Sequence, residues 1–219
     1  MLQANELHIG GFTPMTLLDY PGELAAVVFC QGCPWRCRYC HNSELIPRKR
    51  HASIAWEEVM EFLKQRQGLL DAVVFSGGEP TLQRALPDAI AQVKALGFKV
   101  GLHTGGPYPE RLQQILPLVD WVGLDIKALE ENYTEVTGVK GSGIKAWASA
   151  RLLIDSGVSH DIRTTVHPAL TSRLEQEQIT ARLHKLGTDR HRLQDCVLEH
   201  CLDPSLAVQP LSCDAVSKD

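Results

Sequence analysis

The chain of 219 residues is 44% apolar and 22% charged, with a formal net charge of −4. This length allows one sizeable core or two small domains, and the composition is typical of a globular protein. The negative charge argues against a surface built for nucleic acid or for an anionic membrane. The chain starts without a signal-peptide pattern and has no apolar run near the roughly 20 residues that span a bilayer, so we expect a cytoplasmic protein.

The first predicted strand covers residues 24–30, where a continuous apolar run is typical of a parallel strand buried on both faces. Further strands are predicted at 71–76, 98–103, 120–126, 160–166 and 191–196. Helical spacing of apolar residues and terminal glycines predict helices at about 56–63, 84–96, 109–116, 130–136, 144–154 and 171–186.

This alternation of strands and helices indicates right-handed βαβ units around a parallel sheet. The predicted units are too few for a closed eight-stranded barrel. We therefore predict an α/β fold, a partial (β/α)6 barrel with parallel strands that forms a single domain over residues 1–219. Its core is expected at about 20–196, and residues 197–219 are expected to form a loose C-terminal tail.

Cysteines follow the first predicted strand with the spacing Cys-x3-Cys-x2-Cys, at Cys33, Cys37 and Cys40. In a chain without an export signal, clustered cysteines favour metal binding over disulfides. A cubic four-iron cluster normally takes four thiolates, so three would leave one iron open for chemistry. Zinc is the competing interpretation, but it needs a fourth ligand, and His41 is cramped beside Cys40.

Unusual residues recur where the predicted strands end, which is where (β/α) barrels carry their chemistry. After the cysteines of the first strand, these residues are Gly77, Gly78 and Glu79 of the second, His103 and Thr104 of the third, Asp125 and Lys127 of the fourth, Arg163 of the fifth and Gln194 of the sixth. We expect one cavity to collect them.

The two glycines predict a close approach of backbone to another group. Glu79 could accept hydrogen bonds from a cationic amine, or be a solvated residue of a tight turn. Asp125 and Lys127 share one strand face, as a functional charge pair or as a structural ion pair. Arg163 could bind a carboxylate or pair with an acid on the rim.

Tyr39 is interpreted as an exposed aromatic of the cysteine loop that could stack on a base, the alternative being packing beneath the loop. Cys30 has the character of a small hydrophobic residue at a strand end. Cys196, Cys201 and Cys213, with His200, leave a second metal site open, although their spacings are irregular.

The motifs resemble those of a known family. The cysteine motif followed by Gly77-Gly78-Glu79-Pro80 resembles the radical S-adenosylmethionine (SAM) superfamily. Residues 18–22 (LDYPG), 32–42 (GCPWRCRYCHN), 76–83 (SGGEPTLQ) and 124–127 (LDIK) resemble the anaerobic ribonucleoside-triphosphate reductase activating proteins, relatives of the pyruvate formate-lyase activating enzyme. The likeness covers about residues 8–195.

This resemblance implies one [4Fe-4S] cluster per chain, held by the three loop cysteines, whose open iron binds the amino and carboxylate groups of SAM. It assigns residues to that cofactor: Gly77, Gly78 and Glu79 to the amino group, Asp125 and Lys127 with Arg163 to the ribose and carboxylate side, Tyr39 to the adenine, and Thr104 to the same site. His103 stands where relatives often carry an acid near a cation, which leaves a monovalent cation site open.

The implied function is a glycyl-radical enzyme activase. A 5′-deoxyadenosyl radical would abstract a Cα hydrogen from a glycine of the partner, an anaerobic ribonucleoside-triphosphate reductase, with flavodoxin or ferredoxin as the electron donor. No catalytic acid or base is required, and neither nucleic acid nor membrane is an expected partner. The alternatives are a metabolite enzyme resembling the 7-carboxy-7-deazaguanine synthases, a peptide maturase, and a non-enzymatic iron–sulfur or zinc module.

Overall fold

The computed structural model describes residues 3–48, 54–199 and 201–208. Within these residues one sheet contains seven strands in sequence order, with β1 and β7 at its edges. The strands are β1 (Ile9–Thr16), β2 (Ala25–Cys30), β3 (Ala72–Gly77), β4 (Lys99–Thr104), β5 (Trp121–Asp125), β6 (Ser159–Val166) and β7 (His191–Asp195). The helices are α1 (Trp56–Lys64), α2 (Leu86–Ala95), α3 (Pro109–Ile115), α4 (Tyr133–Thr137), α5 (Ser142–Ser156) and α6 (Arg173–Leu186).

The six predicted strands are confirmed as β2 to β7, and each pairs in parallel with the next. Helices lie between consecutive parallel strands, as the right-handed crossover of βαβ units requires. Gly157 and Gly187 end α5 and α6 in the left-handed conformation, where glycine avoids a steric penalty. The α/β fold with a partial barrel is therefore confirmed. No helix in the described ranges is long and apolar enough to cross a membrane.

The strand β1 is absent from the sequence prediction, whose first strand covers residues 24–30. It contains Gly10, Gly11 and Pro14, residues that disfavour strand interiors. The structure places it at a sheet edge, antiparallel to β2, with Phe12 opposite Val28 and two register irregularities. An edge position tolerates proline because one side of the strand needs no ladder hydrogen bonds.

The inner face of the sheet explains where a cavity can form. Near the start of the strands it carries small residues, Ala25 and Val27 on β2 and Ala72 and Val74 on β3, which are fully buried. Tyr20 and Trp121 stack over this layer with ring centroids 5.2 Å apart. Because side chains alternate along a strand, the next inward residues on β5 and β6 are polar ones at the strand ends. The barrel is therefore closed at one end and polar at the other.

The C-terminal segment packs more tightly than the predicted loose tail. The backbone N–H groups of Leu202 and Asp203 donate to the carbonyls of Cys40 and Arg38, at 3.1 and 2.8 Å. Leu206 is 1% exposed. The described part of this segment thus lies against the cysteine loop.

Candidate functional site

A cavity of about 500 Å³ opens at the carboxyl ends of the parallel strands. Every residue that the sequence assigned to a cluster or to SAM lines it: Cys33, Cys37, Tyr39, Cys40, Gly77, Gly78, Glu79, Thr104, Asp125, Lys127 and Arg163. His103 and Gln194 line it as well. The expected convergence of strand-end residues is therefore observed. Lining residues that the sequence did not single out include Asp19, Trp35, Ser76, Thr165 and Asp195.

The cysteine loop is shaped by backbone hydrogen bonds. The N–H of Cys40 donates to the carbonyl of Cys37 at 2.9 Å, which makes a tight turn between these two residues. The N–H groups of Arg36 and Arg38 donate to carbonyls of α4, at 2.8 and 3.0 Å. Main-chain contacts with α4 therefore hold the loop in this conformation.

Burial makes the loop thiols poor acids. It raises the pKa of Cys33 to about 12, with the nearby charge of Glu79 adding to the effect. It raises the pKa of Cys37 to about 11, although the positive charge of Lys127 opposes the shift. These groups are protonated at neutral pH unless a positive ion binds them, and iron in a thiolate-ligated cluster supplies such a charge.

Gly77 and Gly78 lie where backbone approaches backbone, as predicted. Gly77 has a φ of +104°, and a Cβ there would lie 2.6 Å from the N of Cys30. A Cβ on Gly78 would lie 2.5 Å from the carbonyl oxygen of Gly32. The N–H of Gly78 donates to Cys30 O and that of Glu79 to Gly32 O, both at 2.9 Å. The two glycines thus let the end of β3 bond directly to the chain entering the cysteine loop.

Glu79 is buried, at 2% exposure, which excludes the solvated alternative. Its Oε1 accepts from the N–H and hydroxyl of Thr81 and, at 2.7 Å, from the hydroxyl of Thr104, while Oε2 accepts from the N–H of Gly105 at 3.0 Å. Burial raises the pKa of Glu79, and these hydrogen bonds oppose that rise. The carboxyl group therefore ties the end of β3 to the end of β4, and Thr104 positions it.

Asp125 lies between two cations. Its Oδ2 is 3.2 Å from Lys127 Nζ, and its Oδ1 is 3.1 Å from Arg163 Nη2. Burial alone would raise the pKa of Asp125, but the charges of Lys127 and Arg163 outweigh it and hold the pKa at about 2. Burial likewise opposes the charge on Lys127, yet Asp125 keeps the pKa of Lys127 well above its ordinary value. All three groups are charged at neutral pH.

His103 extends this network in a way that the sequence did not indicate. Its Nδ1 is 2.6 Å from Arg163 Nη2, and its Nε2 is 2.8 Å from the carbonyl oxygen of Asp19. A guanidinium can only donate, so Nδ1 accepts and the proton sits on Nε2. Burial, reinforced by the charge of Arg163, lowers the pKa of His103. His103 is therefore a neutral residue that orients Arg163.

The interpretation of Tyr39 as an exposed aromatic is wrong. The residue is 6% exposed, and Lys127 Nζ lies 5.5 Å from the centroid of its ring. Its hydroxyl is buried and has no hydrogen-bond partner among the described residues. Packing beneath the loop, the alternative, is what the structure shows, because α4 holds the loop in a conformation that turns this side chain inward. The ring still borders the cavity.

The three loop cysteines differ from a site for a single ion. Among the described residues, one group of metal-ligating side chains has all its ligand atoms within 4.8 Å of one another, and it is His41, Cys196 and Cys201. Cys33, Cys37 and Cys40 do not form such a group. Wider spacing around one cavity is what a multi-iron cluster requires, since each thiolate binds a different iron.

Comparison with known proteins decides the family. The model of the radical SAM superfamily matches residues 27–182. This chain belongs to the radical SAM superfamily. Its cofactors are accordingly a [4Fe-4S] cluster with three cysteine ligands and SAM. The donor set fits them: three thiols and a group of buried charges line one cavity, and a buried tyrosine hydroxyl beside it has no partner in the part of the chain that the structure describes.

Two curated relatives share a similar name. A Methanocaldococcus jannaschii protein, provisionally named a glycyl-radical enzyme activating enzyme, is 31% identical over 185 residues, covering 78% of this chain and 73% of the relative. The pyruvate formate-lyase-activating enzyme of Clostridium pasteurianum is 33% identical over 177 residues, with the same coverage.

The solved structures support the fold. Streptococcus suis SuiB bound to S-adenosylmethionine matches with a TM-score of 0.64 at 17% sequence identity. The match covers 78% of this chain and 40% of the SuiB chain. At this identity the likeness shows a shared radical SAM fold and carries nothing about substrate.

Proposed function

We propose that this radical SAM enzyme is a glycyl-radical enzyme activase, and that its partner is an anaerobic ribonucleoside-triphosphate reductase. The observation that carries the proposal is the likeness to the two activating enzymes among the relatives, which are 31% and 33% identical and each cover 78% of this chain. The cavity of about 500 Å³ at the strand ends is of a size that suits a cofactor such as SAM.

The proposal assigns the metal to Cys33, Cys37 and Cys40, which hold three irons of the cluster. The ends of β3 and β4 bind the amino group of SAM, through backbone atoms at Gly77 and Gly78. Glu79, already engaged by Thr104, fixes this backbone and adds a negative charge near the amine. Tyr39 borders the adenine from below the loop.

The ends of β5 and β6 take the carboxylate and ribose side of SAM. Lys127 and Arg163 are both charged and both held by Asp125, so two cations converge on one part of the cavity. His103 keeps Arg163 in place by accepting its hydrogen bond. The carboxylate of SAM is the group that these cations would bind.

When bound and reduced by one electron, the cofactors would supply methionine and a 5′-deoxyadenosyl radical; transfer of a hydrogen atom from a glycine Cα to that radical would leave a glycyl radical and 5′-deoxyadenosine. The electron comes from a donor such as flavodoxin or ferredoxin. The chain's own part is to bind, orient and exclude water. Trp35, 4% exposed and packed against Gly105, contributes an apolar wall for that exclusion.

The test is electron paramagnetic resonance on the anaerobic reductase mixed with this protein, SAM and a reductant. We expect a glycyl-radical doublet on the reductase and formation of 5′-deoxyadenosine. Cys37→Ser is the matched control, because it removes a cluster ligand while leaving the charged half of the cavity intact, and it should give neither product.

Two outcomes would count against the proposal. Formation of 5′-deoxyadenosine without a radical on any glycyl-radical enzyme, but with turnover of a small molecule, would support the metabolite enzyme. Modification of a peptide would support the maturase. Each outcome leaves the family assignment intact and rejects the activase.

A further inference from the structure

A second group of metal-ligating side chains lies at the rim of the cavity. The Sγ atoms of Cys196 and Cys201 are 3.9 Å apart, and Cys201 Sγ is 3.9 Å from His41 Nε2. His41 and Cys201 are 160 residues apart in the chain. None of the three is a proposed cluster ligand, and the second metal site left open by the sequence comprised Cys196, Cys201 and Cys213 with His200 rather than His41. His200 and Cys213 lie outside the described residues.

The three side chains converge on one point. The carbonyl oxygen of Val197 lies 2.6 Å from His41 Nε2, 3.3 Å from Cys201 Sγ and 3.5 Å from Cys196 Sγ. The imidazole and both thiols are therefore turned toward one centre rather than pointing apart. Such convergence from the cysteine loop, the end of β7 and the following segment is what a chelating site requires.

We propose that His41, Cys196 and Cys201 bind a zinc ion. Two thiolates and an imidazole are ligands that zinc prefers, and the observed 3.9 Å between the Sγ atoms of Cys196 and Cys201 is close to the roughly 3.8 Å between sulfurs of a tetrahedral site with Zn–S bonds of about 2.3 Å. The Val197 carbonyl oxygen or a water molecule fills the fourth position. His41 is exposed and the cysteines are half-buried, so the ion can enter from solvent.

The position of this site gives it a structural consequence. His41 directly follows Cys40, whose carbonyl accepts from the N–H of Leu202 at 3.1 Å. Arg38 Nε also donates to Asp203 Oδ2 at 2.7 Å. A zinc ion would add a metal link to these contacts, fastening the C-terminal segment over the cysteine loop. The site stands independently of which partner or substrate meets the radical.

The measurement is zinc and iron content of the anaerobically purified, iron-reconstituted full chain. We expect one zinc per chain in addition to the iron of the cluster. Cys196→Ser and Cys201→Ser should each weaken zinc binding by at least about 100-fold in chelator competition, since even outer-shell changes cost 10- to 100-fold, and should leave the iron unchanged. Cys30→Ala is the matched control, because Cys30 is a buried cysteine of β2 that is neither a proposed zinc ligand nor a proposed cluster ligand, and it should keep both metals.

A variant without the cluster motif separates the two sites. Cys33→Ser, Cys37→Ser and Cys40→Ser combined should lose the iron and keep one zinc, and cobalt substituted into this variant should show thiolate-to-metal charge transfer. Removing zinc from it should increase deuterium uptake in the segment that follows β7. Unchanged uptake would reject the proposal that zinc fastens this segment over the cysteine loop.

Three results would overturn the zinc site itself. One is wild-type protein without zinc. Another is zinc that disappears with the three loop cysteines but survives Cys201→Ser, which would place the ion at the cluster motif. The third is a disulfide between Cys196 and Cys201. The mass of the anaerobic wild-type protein would then be two hydrogens too low, and peptide analysis would find these two residues cross-linked.

Discussion

The two halves of the cavity are held in place by different forces. At the ends of β2 and β3, backbone bonds to backbone: Gly78 and Glu79 donate to the chain around the cysteine loop, and Arg36 and Arg38 donate to α4. At the ends of β5 and β6, ion pairs hold the side chains in place, with Asp125 between Lys127 and Arg163. We call the first the steric half, because its glycines leave no room for an added atom. We call the second the electrostatic half, because its ion pairs depend on protonation.

The difference matches the chemistry proposed for each half. A cluster needs three thiolates at fixed positions, and main-chain hydrogen bonds within a close-packed loop provide this without relying on the ligand. SAM must bind and leave, so the groups that hold it need affinity without a covalent bond. Cations pre-arranged by Asp125 and His103 cost little to organise when the ligand arrives.

The largest expected effect comes from adding one methyl group to the steric half. Gly78→Ala places a Cβ 2.5 Å from Gly32 O and 2.9 Å from Leu45 O, both backbone atoms that cannot move without reshaping the loop. We expect the free energy of unfolding to fall by about 3 kcal/mol, as for severe overpacking, and iron binding to be lost. Denaturant unfolding and iron analysis measure both.

Gly11→Ala is the matched control for this change. Its Cβ would meet nothing closer than 3.6 Å, a side-chain atom of Phe29. Iron content and stability should stay close to wild type. Full iron content in Gly78→Ala would show that the backbone contact is not what shapes the loop.

The electrostatic half should lose affinity rather than structure. Lys127→Met keeps the length of the side chain but removes one of the two cations beside Asp125. We expect SAM to bind about 10- to 100-fold more weakly, which corresponds to about 1.4–2.8 kcal/mol, with the iron unchanged. Equilibrium binding to the reconstituted protein measures the affinity.

Lys64→Met provides the control for a lost lysine charge. Lys64 lies on α1, with 56% of its side chain exposed, and pairs with Glu61 at the surface. Its replacement should leave SAM affinity unchanged. Equal affinities for the wild type and Lys127→Met would remove Lys127 from the proposed binding site.

The two halves should also respond to pH in opposite directions in the cluster-free protein. Asp125 has a pKa lowered to about 2, so its stabilising contribution is complete above its ordinary value of 3.8 and is lost as pH falls toward 2. Glu79 has a raised pKa, so its contribution to stability is complete below the ordinary value of 4.5 and is lost as pH rises from there through the raised value. Asp125→Asn and Glu79→Gln remove these two dependences.

Urea unfolding of the wild type and both variants across acidic and neutral pH measures the contrast. The stability advantage of wild type over Asp125→Asn should shrink as pH falls from about 4 toward 2. Relative to wild type, Glu79→Gln should gain stability as pH rises above 4.5. Parallel pH profiles for the two variants would mean that the two carboxyl groups do not have the environments described.

Much of this arrangement follows from the sequence, and the exceptions have physical reasons. Continuous apolar runs and strand-end glycines predict β2 to β7, and the rule that barrel chemistry sits at strand ends predicts the cavity lining. The strand β1 was not predicted, because pairing at the sheet edge outweighs the poor strand propensity of Gly10, Gly11 and Pro14. The inward turn of Tyr39 depends on α4, which lies far along the chain.

The hydrogen-bond partners within the site could not be predicted from the sequence. The bond from His103 to the Asp19 carbonyl joins residues 84 apart, and no spacing rule indicates it. The same holds for His41 with Cys196 and Cys201. A motif marks the residues of one segment, whereas these contacts arise only once the sheet has brought distant segments together.

The smallest expected effect on SAM affinity tests whether the two halves of the cavity are linked. Tyr133 begins α4, the helix whose Val136 and Thr137 carbonyls hold the cysteine loop, and its hydroxyl accepts from the N–H of Lys127 at 3.0 Å and donates to the Asp125 carbonyl at 3.3 Å. Tyr133→Phe keeps the ring that packs against Trp35 and deletes only the hydroxyl.

Because that hydroxyl satisfies a buried N–H, its loss should cost about 1–3 kcal/mol in free energy of unfolding. The chain between Asp125 and Lys127 would lose its anchor to α4, so SAM affinity should fall by less than in Lys127→Met, while iron content stays at the wild-type level because the carbonyls that hold the loop remain. SAM affinity and iron content, measured on the same preparation, test both expectations. A loss of iron equal to that in Gly78→Ala would show that the halves form one cooperative unit, since a hydroxyl in the electrostatic half would then control the steric one.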